Sequence, residues 1–170
     1  MLEFVQAYRV DAQTLAFVLL ALAAWRWGEG PERALALVLV WFRIADWSYH
    51  GLFEKSLQLT DIDLAHALID MVACMAALAV ALYANRIYPL WFAAVQLLAL
   101  FAHFARALAV DILPVVYAIM FIAPSYLQIV ILALGIWLHR RRIRRYGPYR
   151  SWRSSSPRSP VLRPGSWPSA

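Results

Sequence analysis

Charge is what this chain has least of. Only 15% of its residues are charged, against about 25% in an ordinary soluble domain. Hydrophobic residues make up 63%, against roughly 45–50%, and mean hydropathy is +0.60. That balance excludes a soluble globular protein and requires an integral membrane one. A single cysteine, Cys74, excludes an internal disulfide framework and leaves the redox compartment open. Cys74 lies in an apolar run and reads as a small core residue rather than a nucleophile. Reaction motifs are missing as well. There is no H-E-x-x-H for a metalloprotease and no G-x-S-x-G elbow around Ser48 or Ser125, so those serines read as bonding their own backbone. Between Arg140 and Arg163 there is no acidic residue, yet nine of the sixteen Lys and Arg residues lie there. The net charge of +6 is therefore a property of the tail. The pI of 9.9 is weak evidence for nucleic-acid binding, and nucleic acid is not an expected partner.

What is present is a series of apolar runs, at about 8–27, 34–53, 64–84, 90–110 and 112–138. The middle one, Leu64 to Ala84, has twenty-one residues and one formal charge. At ~1.5 Å per residue it covers ~30 Å of hydrocarbon. His66, Asp70 and Cys74 recur along it every fourth residue, forming one polar stripe. Ala73, Ala77 and Ala81 form an adjacent small stripe that admits a neighbouring helix. The expected fold is an all-α, five-span transmembrane bundle over residues 1–138. A basic juxtamembrane segment and a disordered tail follow at 139–170. The first run carries Arg9 and Asp11 at its start. Ala21-Leu22-Ala23 there has the form of a signal cleavage site, but Glu3 and Asp11 deprive the leading segment of the positive charge a signal needs, and a retained span is the reading kept. In the fifth run Pro114 suits a first turn, whereas Pro124 removes a mid-helix hydrogen bond and predicts a kink.

Orientation follows from the arginines. Five spans put the turns at 28–33 and 85–89 on the same side as the tail, so that side collects Arg26, Arg33, Arg86 and the tail's nine, while the other has Arg9 and Lys55. This bias places the C-terminus in the cytoplasm and the N-terminus outside. Trp25, Trp27, Tyr83, Tyr88, Trp91 and Trp137 fall at the inner boundary as an aromatic belt.

Ionisable residues inside spans are functional candidates by default. Arg43, Asp46 and His50 stand on the second run, His66 and Asp70 on the third, His103 and Arg106 on the fourth. All fall between the midplane and the outer face, and the inner half holds only Gln96 and Gln128. Within-helix spacings of three or four put Arg43 with Asp46, Asp46 with His50, His66 with Asp70, and His103 with Arg106 on shared faces. One reading pairs the two arginines with the two aspartates as a neutral network that ties three spans together. The other makes His50, His66, Asp70 and His103 metal ligands, against the field of two arginines.

The residues thus predict a multi-pass membrane protein of accessory or structural type, with no catalysis evident and no cofactor expected. The alternatives are a small transporter or ligand-binding protein using the outer cluster and, third, a membrane metalloprotein. Expected partners are the bilayer, a partner membrane protein or a second copy, and anionic lipid headgroups. The headgroups would meet Arg140, Arg141, Arg142, Arg144 and Arg145, each worth on the order of 1 kcal/mol at such a surface.

Overall fold

The computed structural model describes residues 2–53, 64–108 and 114–153, with side chains described for 10–52, 64–105, 108, 120 and 122–153. Five helices account for nearly all of it: α1 (Leu2–Trp27), α2 (Gly30–Phe53), α3 (Leu64–Tyr83), α4 (Tyr88–Leu108) and α5 (Pro114–Tyr146). The described residues form no strand beyond one isolated antiparallel bridge between Ala84 and Trp152. Three helices, α3, α4 and α5 from Ile122 onward, are long and apolar enough to cross a membrane. Among the described residues α1 and α2 do not join them: the uncharged run of α1 is short, 12–25, and Arg43 and Asp46 interrupt that of α2.

Each helix packs against the next in the chain, and α1 meets α5 to close the ring. Buried residues recur at helical spacing: Phe17, Leu20 and Ala24 on α1, Leu35 and Leu39 on α2, Phe92 and Ala99 on α4, Leu132 and Ile136 on α5. The alanine stripe of α3 is buried as its small size allows, with Ala73, Ala77 and Ala81 all inside. Pro124 is buried within α5, and the helix continues through it. The Ser125 hydroxyl donates to the Ile122 carbonyl at 2.8 Å.

The helix ends are built by local chemistry. Ahead of α2, the backbone N–H of Glu29 donates to Glu32 Oε2 at 3.0 Å, and Arg33 N–H donates to the Glu29 carbonyl at 3.0 Å. This is the reach-back half of a capping box. Pro31 falls in the first turn, where an N–H has no intrahelical acceptor anyway. At the far end of α5, Gly147 adopts φ +80° and its N–H donates to the Ile143 carbonyl at 2.9 Å. This is the left-handed cap that glycine provides without strain, and Pro148 next to it prevents the helix from resuming.

The tail departs from expectation. The basic segment from His139 is helical through Tyr146, so α5 runs past the apolar run that ends at 138. The next residues fold back across the α3–α4 turn as a strap. Asn85 N–H donates to the Ser151 carbonyl at 3.0 Å and Arg153 N–H to the Tyr83 carbonyl at 2.8 Å. Disorder is thus corrected for 147–153, where backbone pairing and the half-buried Tyr149 and Ser151 supply what composition does not. Residues 154–170 lie outside the described part.

Candidate functional site

The polar residues of the bundle are stacked in layers along the helix axes. Farthest from the α1–α2 and α3–α4 turns, Asp46 gathers three neighbours. Its Oδ2 accepts from Arg43 Nη1 at 2.9 Å, and its Oδ1 lies 3.2 Å from His66 Nε2 and 3.5 Å from His50 Nε2. Arg43 Nε donates to Thr14 Oγ1 at 2.8 Å, so α1, α2 and α3 all contribute. Thr14 in turn donates to the Val10 carbonyl at 2.7 Å. The Tyr49 ring meets His66 edge-on, with centroids 5.0 Å apart.

A second layer is centred on Asp70, which is buried. Its Oδ2 lies 2.9 Å from His103 Nε2, and its Oδ1 accepts from Gln96 Nε2 at 2.8 Å. Gln96 Oε1 accepts from Gln128 Nε2 at 2.6 Å. This layer joins α3, α4 and α5. The seven residues expected to form one cluster are therefore divided between two carboxylates. Arg43, His50 and His66 go to Asp46, and His103 goes to Asp70. Arg106 is on α4, and its side chain lies outside the described residues. The four candidate metal ligands are divided in the same way. Among the described residues, the group of three ligand atoms within 4.8 Å of one another is Asp46, His50 and His66, and Asp70 and His103 are not part of it.

A third layer, at the turn end, was not expected at all. Glu32 is fully buried and bonds Arg86, and its Oε1 accepts from the Tyr88 hydroxyl at 2.8 Å. Arg86 also donates to Glu29 Oε2 at 3.0 Å and to Ser151 Oγ at 3.3 Å, while the Ser151 hydroxyl donates to Glu29. Tyr149 closes the layer. Its hydroxyl lies 3.0 Å from His139 Nδ1, and its ring sits under Arg142 at 4.1 Å and Arg86 at 5.1 Å. Burial acts to raise the Glu32 pKa, but Arg86 and the hydrogen bonds outweigh it and hold the carboxyl below its ordinary value. Burial acts to lower that of Arg86, and Glu32 reverses the sign, keeping the guanidinium charged. Burial pushes the Tyr149 hydroxyl up. Tyr88, expected in the aromatic belt, is turned inward to Glu32. Trp25, Trp27, Tyr83, Trp91 and Trp137 are exposed as a belt requires.

Between the third layer and the Asp70 layer the interior is apolar, with Leu35, Val80, Phe92, Leu132 and Ile136 all buried. Tyr88 and Gln96 are eight positions apart on α4, a rise of ~12 Å. Among the described residues, no chain of hydrogen bonds crosses that gap. On the outside of α5, Trp137, Arg140, Arg141, Arg144 and Arg145 line one groove. Arg140 lies over the Trp27 ring at 4.5 Å and Arg141 over Trp137 at 5.3 Å. Compared with protein-family models, curated proteins and solved structures, the chain finds no match.

Proposed function

We propose that the chain is a five-span membrane protein of accessory or structural type, with its N-terminus outside and the α5 end in the cytoplasm. Its buried polar groups join helices; they do not carry a reaction or conduct an ion across the membrane. The observation that carries this reading is the matching of each buried carboxylate among the described residues by donors from other parts of the chain, across an interior cut by an apolar layer. Glu32 of α2 meets Arg86 and Tyr88, and Asp70 of α3 meets Gln96 and His103 of α4. Buried ions that are all paired are the pattern of a held bundle, whereas a proton or ion route requires polar groups through the full thickness. At the inner surface, the arginine groove of α5 would take anionic headgroups, with Trp137 at the interface level.

α1 and α2 cross in this reading despite their charges. Arg43 and Asp46 neutralise each other within the span, and Glu32, Glu29 and Arg86 meet at its inner edge. Reconstitution into sealed vesicles tests the functional half. Under an imposed potential, with a pH-sensitive dye or a sodium indicator inside, vesicles with the protein should match empty ones. A protein-dependent flux that Asp70→Asn abolishes would replace this reading with a transporter.

A further inference from the structure

Three helices meet at Asp46 with more ligating chemistry than helix pairing uses. We propose that Asp46, His50 and His66 form a three-ligand site for a divalent transition metal of the zinc class. The spacing is the first argument. Tetrahedral zinc, with bonds of ~2.0–2.1 Å, sets neighbouring ligand atoms about 3.3 Å apart. Asp46 Oδ1 is 3.2 Å from His66 Nε2 and 3.5 Å from His50 Nε2, so two edges of the tetrahedron are in place. The third pair lies within 4.8 Å, and the His50 side chain, 31% exposed, is on the solvent-facing side of the three.

The surrounding contacts are the second argument. Metal-binding groups are oriented by outer partners that occupy their other polar atoms. Arg43 takes Oδ2 of Asp46 at 2.9 Å and leaves Oδ1 to face the imidazoles. Arg43 is itself fixed through Thr14 at 2.8 Å, and the Tyr49 ring braces His66. Two imidazoles and one carboxylate favour zinc, cobalt, nickel or copper over magnesium or calcium. The Arg43 charge offsets that of Asp46, so a fourth ligand of negative charge, hydroxide or an external anion, fits the position left open. The same heavy atoms also suit two imidazole N–H groups donating to Oδ1 with no metal. Binding separates the two.

The test uses the full chain in detergent, carrying an affinity tag without histidine, because the chain has four histidines of its own. Equilibrium dialysis against zinc should give one saturable equivalent. Cobalt should bind in its place with visible bands of tetrahedral strength, and saturation should raise the melting temperature. His50→Gln, at the half-buried edge, should weaken zinc binding by roughly tenfold or more. His66→Gln keeps a donor for Asp46 and should weaken it at least as much, with the metal-free melt confirming that it folds. His103→Gln/His139→Gln should leave affinity unchanged. No saturable equivalent, or one that survives His50→Gln and is lost with His103 and His139, would overturn the site. Failure here leaves the helix-pairing account standing, since that account requires only the hydrogen bonds.

Discussion

Replacing Arg86 by glutamine is the sharpest perturbation of the third layer, because its partner cannot reach water. Glu32 is fully buried and would keep two donors, the Tyr88 hydroxyl at 2.8 Å and the Glu29 N–H at 3.0 Å, but no cation. Removing one member of a buried pair costs about 3–5 kcal/mol. For a chain of this size each kcal/mol shifts the melting temperature by about 2–4 °C, so Arg86→Gln should melt roughly 6–20 °C lower. The pH dependence should also change sign. In the native protein the Glu32 pKa is held below its ordinary value of 4.5. The group therefore adds stability above that value, and the gain is lost as pH falls through the folded pKa. Without Arg86, burial dominates and the folded pKa rises above 4.5. Stability is then greatest below 4.5 and declines as pH rises toward the folded value. Tryptophan fluorescence melts in detergent, with eight tryptophans as reporters, should show Arg86→Gln gaining stability between pH 7 and pH 5. The native protein should stay flat over that range as far as Glu32 is concerned. Glu32→Gln/Arg86→Gln should recover part of the loss, since no buried charge remains. A single variant melting with the native protein, or a double variant no better than the single, would refute the reasoning.

The other layers and the strap make their own predictions. Gln96→Leu strips donors from Asp70 and an acceptor from Gln128, and should cost about 1–3 kcal/mol in denaturation. Adding Gln128→Leu should return part of it, and strictly additive losses would argue against the network. A Cβ at Gly30 would run into the Trp152 indole, so Gly30→Ala should displace the strap and speed tryptic cleavage after Arg150. Equal cleavage rates would mean that the strap is not held there. Replacing Arg140, Arg141, Arg144 and Arg145 with glutamine should reduce binding of the detergent-solubilised protein to vesicles rich in anionic lipid by roughly 1 kcal/mol per residue. Unchanged binding would remove lipid headgroups from the account of the α5 groove.

The helices were legible because an apolar run about a span long leaves the backbone few alternatives to a helix. The pairs within one helix were legible in part. Arg43 with Asp46, and Asp46 with His50, meet as their spacing indicates. His66 and Asp70 share a face but serve different partners, His66 turning to α2 and Asp70 to α4. Spacing along one helix cannot show which neighbour a side chain will meet. Glu32 and Arg86 were missed for a related reason. Arg86 stands in the α3–α4 turn and Glu32 in the first turn of α2, inside the 28–33 stretch that reads as a turn, where a charge is normally solvated, and fifty-four positions separate them. Two acidic residues, Glu29 and Glu32, beside the turn of the arginine-rich side were the available signal, since they run against its charge bias. The strap was hidden by its composition: Ser151 and Trp152 are ordered by the turns they cover, not by their own propensity.

Labelling of introduced cysteines from either side of intact cells tests the central claim, that all five helices cross. The native Cys74 is buried and should stay silent. Trp27→Cys, Ile87→Cys and Tyr146→Cys replace residues exposed at the turn end; they should react with a membrane-impermeant maleimide only after permeabilisation, and Leu57→Cys should react in intact cells. Protection at 57, or reaction at 27 from outside, would contradict the five-span arrangement and its orientation.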